Sequence, residues 1–281
     1  LPADCRCLCY GVNFVPPGGT LFDTTATYPR CYRALQAYGS QNAYIDLPGM
    51  SEHRCRAATV NLDIPGVLYG ELFLDLRPAE LAEAHALQDR LHRFVQRENL
   101  RAIAAQSVPA DQVIVVDNAS HDGTPEMVLA EFPWVQLIRM PHSRYGACET
   151  FNVGFASARG EFTGILDDDV VLPPTFVEQM LAKFAQEPAT TAILSPKVRE
   201  PEMPEWYLTS PAINRERYLP TFRGCGSMAR TQALREANWY DIRFFIFGNE
   251  RDLTTRLLNL GYRVKMVPSI EVFHKAPFGM R

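Results

Sequence analysis

The sequence has no apolar run near the ~20 residues that a bilayer-spanning helix needs. It has no basic excess either: 28 Lys and Arg face 32 Asp and Glu, a net charge of -4. A protein that grips nucleic acid through its phosphates carries the opposite balance, so no nucleic-acid partner is expected. The opening Leu1-Pro-Ala-Asp-Cys has neither a basic region nor an apolar one, so no secretory signal is visible. There is no internal repeat. Charged residues make up 21% and apolar residues 47%, the balance of an ordinary globular protein, which excludes bulk disorder. At 281 residues the chain is long enough for one large domain or two modest ones.

The seven cysteines are positions 5, 7, 9, 31, 55, 148 and 225. The single-residue spacers of Cys5-x-Cys7-x-Cys9 make a poor zinc ligand set. An odd count without a leader favours reduced thiols and a cytoplasmic location. Peripheral association with the inner face of the cytoplasmic membrane, and oligomerisation, are left open.

Two textures divide the chain. Residues 1–77 are rich in Pro, Gly, Tyr, Thr and Phe, with short β-favouring stretches at 59–63, 66–69 and 72–76. They read as a small all-β N-terminal domain, a sandwich in outline. Its aromatic residues offer either a sugar-binding face or plain core. From Pro78 helix-favouring sequence runs to about 106, with Pro and acidic residues in its first turns. Strand and helix signals then alternate: strands at 112–116, 135–139, 162–166, 192–194, 224–229, 262–267 and 271–273, and helices at 125–131, 146–158, 175–184 and 251–260. That order predicts an α/β domain over 78–281.

The most informative segment is Ile165-Leu-Asp-Asp-Asp-Val-Val-Leu-Pro-Pro. Three adjacent anions at a strand end repel one another unless a cation neutralises them. In extended backbone Asp167 and Asp169 point the same way and Asp168 another. Oxygen ligands of this kind suit Mg2+ or Mn2+ together with diphosphate oxygens. The alternative is a solvated acidic loop. Val113-Ile-Val-Val-Asp-Asn-Ala-Ser-His-Asp-Gly-Thr-Pro sets an acid directly after a buried strand, where it can accept hydrogen bonds from a base or ribose, and then a helix start that Asp122 can cap. The segment Gly146-x5-Asn152-Val-Gly154-x5-Gly160 leads into the aspartate strand. In Phe244-Phe-Ile-Phe-Gly-Asn-Glu-Arg-Asp-Leu, Glu250 and Asp252 open a helix beside apolar residues. They either cap it or provide a general base. His274 follows a late strand, and bears on function only if it comes near the aspartates.

Taken in order, these segments resemble the family 2 glycosyltransferases of GT-A fold over roughly residues 99–281. Gly224-Cys-Gly-Ser-Met-Ala-Arg and Gly261-Tyr-Arg-Val complete the set. The closing His274-Lys-Ala-Pro-Phe is similar to the bacterial galactofuranosyltransferase branch, and rhamnosyltransferases of the family share most of the rest. The resemblance implies a GT-A domain with a mixed, mostly parallel sheet. It implies inverting transfer from UDP-galactofuranose, or alternatively dTDP-rhamnose, to a saccharide or lipid-linked saccharide acceptor. Asp117, Asn118, Asp122, Asn152 and Asp168 would serve the nucleotide. Asp167, Asp169 and His274 would hold Mn2+ or Mg2+. Glu250 would be the base, with Asp252 its neighbouring acid. The branch's aspartate pair is Asn249-Glu250 here. The family's first strand, with its Thr-x-Asn/Arg loop, has no clear counterpart before Asn99; the segment available for it is 72–76. A non-catalytic sugar- or nucleotide-binding relative is the competing reading, and a response-regulator receiver a more distant one.

Overall fold

The computed structural model describes residues 7–10, 20–37, 46–59, 65–76, 78–245 and 248–275. The chain forms two compact units, Leu1–Leu87 and Gln88–Arg281. In the first, β1 (Cys7–Tyr10) and β2 (Thr20–Asp23) flank β3 (Gly70–Leu76) in an antiparallel sheet, and between β2 and β3 the chain forms α1 (Tyr28–Gln36) and α2 (Leu47–Ala57).

These two helices correct the all-β expectation. Tyr28-Pro-Arg-Cys-Tyr-Arg-Ala-Leu-Gln puts Pro in the first turn and strong helix formers after it. Asp46 Oδ1 accepts from Gly49 N–H at 2.9 Å and satisfies one orphan donor at the start of α2. Tyr28 is buried and stacks on Tyr69 at 4.1 Å, so here the aromatic texture is helix-to-loop core. The expected strand at 59–63 falls largely outside the described residues, as do Cys5 and the 16–19 stretch.

The long helix α3 (Pro78–Ala104) follows. No helix among the described residues is long and apolar enough to cross a membrane. The second unit continues as β4 (Ile114–Asp117), α4 (Thr124–Glu131), β5 (Gln136–Arg139), α5 (Ala147–Ser157), β6 (Phe162–Ile165), β7 (Val170–Val171) and α6 (Phe176–Gln186). Then come β8 (Thr191–Arg199), α7 (Glu205–Leu208), α8 (Pro211–Asn214), β9 (Arg217–Tyr218), β10 (Ser227–Arg230), α9 (Thr231–Glu236), α10 (Asn249–Asn259) and β11 (Arg263–His274). The helix and strand types expected from 78 onward all form, with ends shifted by a few residues.

The main sheet is mixed, in the order β6-β10-β8-β11-β7, and its longest pairing, β8 with β11, is parallel. β4 and β5 pair in parallel as a separate ribbon. β8 is longer than the expected 192–194 because Ser195-Pro196 does not end it. Its pairing with β10 stops at Leu194, before Pro196, which has no N–H to give. The two expected late strands are one, β11, with an irregular register between Val267 and Glu271 where Pro268 sits.

Alternating side chains feed two cores. Ile193 and Ala229 join Phe155, Leu234, Leu253 and Leu257 of α5, α9 and α10. Leu194 and Met228 join Phe176, Met180 and Phe184 of α6. A third core, Leu100, Met127, Val128, Phe132 and Val135, seats α3 and α4 against the ribbon.

The segment expected to supply the family's first strand is part of β3, the centre of the small N-terminal sheet. Among the described residues, β4 and β6 each keep one edge without a strand partner. Ile114, Val115 and Val116 are accordingly only half-buried, and Gly164 is exposed.

The loop after β6 is pinned from α3. Buried Asn99 donates through Nδ2 to Val170 O at 2.7 Å and to Asp167 O at 3.2 Å. Asn99→Ala leaves these carbonyls without that donor, a cost of about 1–3 kcal/mol. Urea unfolding reads this directly; an unchanged midpoint would contradict the pinning.

Candidate active site

Asp167 follows β6 by two residues, and Asp169 ends the turn that leads into β7. β7 pairs with the end of β11, with Val170 opposite His274. That register carries a side chain from the end of the described chain to the aspartates. His274 is buried, 4% exposed. Its Nε2 lies 3.1 Å from Asp169 Oδ1 and 3.9 Å from Asp167 Oδ2.

Its other nitrogen is fixed from behind. Nδ1 is 3.0 Å from Glu200 Oε1, which also accepts from Arg223 Nη2 at 2.6 Å. Glu200 itself is buried. With a cation bound between Nε2 and the aspartates, Glu200 would hold the proton on Nδ1 and leave the Nε2 lone pair to the metal, the arrangement of a metal-ligating histidine. The approach of Nε2 to Asp169 Oδ1 lacks the alignment of an N–H···O bond, and that oxygen is buried without a hydrogen-bond partner among the described residues. Two carboxylates facing a lone pair repel it; a cation between them reverses the sign of every contact.

Sequence reasoning passed over Glu200, Arg223 and one more donor, Cys225. The Cys225 sulfur, an Asp167 oxygen and a His274 nitrogen lie within 4.8 Å of one another. The only sequence signal for Glu200 was an acid directly after an apolar strand.

Glu250 opens α10, and its carboxylate reaches Gly224. A Cβ at 224 would stand 2.8 Å from Glu250 Oε1, so a side chain there displaces this carboxylate. The hydroxyl of buried Tyr240 is pushed well above its ordinary pKa by burial and then by the carboxylates of Glu250 and Asp167. Burial, reinforced by Glu250 and Asp241, pushes the Cys148 thiol up to about 11.

Asp252 lies apart from that pair. Its Oδ2 takes hydrogen bonds from Arg256 at 2.7 and 2.9 Å, and Arg256 donates onward to the carbonyls of Ala237 and Trp239. Asn152 spends both ends of its amide on the backbone of Tyr240, at 2.8 and 2.9 Å. Each therefore holds a loop of the site.

The remaining expected residues lie at the end of β4 and in the turn after β6 that faces α3. Asp117 is buried, accepts from Ser120 N–H at 3.1 Å and has Arg139 at 3.8 Å. Asn118 donates to Tyr145 O at 2.9 Å. Asp122 Oδ1 accepts from Thr124 N–H at 2.9 Å just ahead of α4, whose N-cap position is Gly123. Asp168 faces away from Asp167 and Asp169 toward α3, where its Oδ2 accepts from Gln96 Nε2 at 2.8 Å and meets His92 Nε2 at 3.0 Å. His92 Nδ1 reaches Asp122 at 3.3 Å, and Gln96 Oε1 accepts from the Thr124 hydroxyl at 2.8 Å. Helical spacing of four puts His92 and Gln96 on one face. Neither was visible as more than helix in the sequence.

The family model "Glycosyl transferase family 2" matches residues 96–251, more than half of the chain. The chain belongs to glycosyl transferase family 2. It is 25% identical to an N-acetylglucosaminyl-diphospho-decaprenol L-rhamnosyltransferase of Mycobacterium tuberculosis, covering 62% of this chain and 70% of that protein. It is 33% identical to the succinoglycan biosynthesis protein ExoO of Rhizobium meliloti, over 33% of this chain and 26% of that one. Among solved structures it resembles the mannosyltransferase PcManGT of Pyrobaculum calidifontis in complex with GDP-Man and Mn2+. The TM-score is 0.54 and the identity 25%, covering 66% of this chain and 54% of that one. S. aureus TarS matches with a TM-score of 0.51 at 18% identity, over 64% of this chain and 34% of that one, and supports the fold alone. The chain thus spans a third to just over half of these solved chains. As a member of family 2, the chain is a glycosyltransferase of GT-A fold.

The α3 latch gives a pH signature. Hydrogen bonding to Asp168 raises the His92 pKa to about 9; burial opposes the shift, and the charges of Asp168 and Asp122 add to it. Burial pushes the Asp168 carboxyl up, but hydrogen bonds from His92 and Gln96 outweigh this and leave it below its ordinary value. A folded pKa above the unfolded 6.5 means the pairing stabilises fully below about pH 6.5 and is lost as pH rises through about 9. The melting-temperature gap between the wild type and His92→Asn is expected to be widest between the ordinary Asp168 value of 3.8 and pH 6.5, to close above pH 9, and to narrow in acid as Asp168 is protonated. A gap independent of pH would contradict the assignment.

Proposed function

We propose that this protein transfers a hexosyl group, with inversion, from a nucleotide-diphosphate sugar to a hydroxyl of a saccharide or lipid-linked saccharide, assisted by a divalent cation. The observation that carries the reading is the convergence of Asp167, Asp169 and His274, with Glu250 directed toward the adjoining Gly224 turn. The donor set, two carboxylates and an imidazole fixed by Glu200, fits a divalent ion, expected to be Mn2+ or Mg2+. When bound, the ion supplies Lewis-acid neutralisation of the departing diphosphate.

The chain's own residues do the rest. Glu250 accepts the acceptor hydroxyl proton, and that oxygen attacks the anomeric carbon from the face opposite the diphosphate. Asp252 acts as a positioning residue through Arg256, and Asn152 through Tyr240. Asp117, Asn118 and Asp122 line the nucleotide side at the end of β4. Asp168 meets the nucleotide once His92 and Gln96 yield it. Of the two expected donors, the rhamnosyltransferase relative supports dTDP-rhamnose, and the sequence His274-Lys-Ala-Pro-Phe supports UDP-galactofuranose.

Glu250→Gln is expected to lower turnover by about 10²–10⁴-fold while donor binding stays within a few-fold. Equal losses in turnover and donor binding would refute the base. A panel of nucleotide sugars, assayed for hydrolysis and transfer with and without Mn2+, identifies the donor. The second reading, a binding protein without turnover, draws support from the unpaired edges of β4 and β6. Calorimetric binding of UDP with Mn2+, and no turnover with any donor, would favour it.

A further inference from the structure

The cation cluster contains a donor that an oxygen-and-nitrogen site for Mg2+ does not need. Cys225 is fully buried, 0% exposed, beneath the same turn that Glu250 approaches. Gly226 holds that turn with φ +111°, and a Cβ there would stand 2.9 Å from the Val272 side chain. The sulfur position is therefore set by a backbone that other residues do not adopt and have no room for. The 4.8 Å span of sulfur, Asp167 oxygen and His274 nitrogen compares with about 3.3–3.8 Å between ligands of one tetrahedral ion. A small closure brings all three donors onto a single centre. Glu200 behind His274 is the outer-shell acceptor such a centre requires.

We propose that Cys225 is a protein ligand of the cation, and that its sulfur makes the site select a borderline ion, Zn2+ or Co2+, over Mg2+. The inference rests on the reading that Asp167 and His274 hold a cation. Thiolates favour softer divalent ions, whereas Mg2+ prefers oxygen. Binding forms one sulfur–metal bond and releases the thiol proton to solvent, with no change in oxidation state.

Co2+ alone is the probe, titrated into the reduced chain. The wild type is expected to show a sulfur-to-cobalt charge-transfer band in the near ultraviolet that persists in a large excess of Mg2+. Cys148→Ser, which changes a buried cysteine outside the cluster, keeps the band. Cys225→Ser loses it and binds Co2+ about tenfold or more weakly. Co2+ bound without the band, a band that survives Cys225→Ser, or displacement by equimolar Mg2+ overturns sulfur ligation while leaving the cation reading intact. No Co2+ binding at all overturns both. If Cys225→Ser does not fold, cobalt X-ray absorption on the Cys5→Ser/Cys7→Ser/Cys9→Ser variant answers the same question. A sulfur shell supports the proposal, and oxygen and nitrogen scatterers alone refute it.

Discussion

The pairing of His274 with Val170 is the contact on which the candidate site depends. It joins the end of the twelve-residue β11 to the two-residue β7. It thereby sets an imidazole against carboxylates more than a hundred residues earlier. The long parallel ladder between β8 and β11 fixes β11 in register, and Glu200, just past the end of β8, fixes the ring. The same strand pair thus supplies the histidine and the acid that orients it. Asn99 anchors the aspartate loop from the other side. Asp167 and Asp169, both near the His274 ring, carry like charge, and this anchor holds their loop against that repulsion.

Asp168 shows how the three acids divide their work. The turn between β6 and β7 directs it toward α3, which meets it with His92 and Gln96. The same two residues reach Asp122 and Thr124 at the start of α4. One helical face therefore ties the aspartate loop to the loop after β4. Across that boundary, no strand among the described residues connects β4 to β6. A side-chain latch stands where a backbone ladder would otherwise hold the two parts of an α/β sheet together.

Much of this was legible in the sequence. Alternating strand and helix signals from residue 112 onward follow from periodicity, which the long sheet and its covering helices obey. The aspartates and His274 declared themselves through residue type and ordered spacing. What escaped had physical reasons. Cys225 reads as an ordinary small apolar residue until the fold folds the Gly226 turn beneath β11. Glu200 and Arg223 matter only through a contact 74 residues from His274 in one case and 23 residues from each other in the other. Asp252 and Asn152 have the chemistry of site residues but spend it on Arg256 and Tyr240, a choice that depends on three-dimensional neighbours alone. The helices α1 and α2 were hidden because proline and tyrosine, read as signs of strands and turns, here start a helix and fill its buried face.

The most direct test of the cation centre is anomalous diffraction at the manganese edge from crystals of the full chain grown with UDP and Mn2+. The account predicts one strong peak within bonding distance of His274 Nε2 and of a carboxylate oxygen from Asp167 or Asp169. A peak lodged elsewhere, or none while UDP is bound, would contradict it.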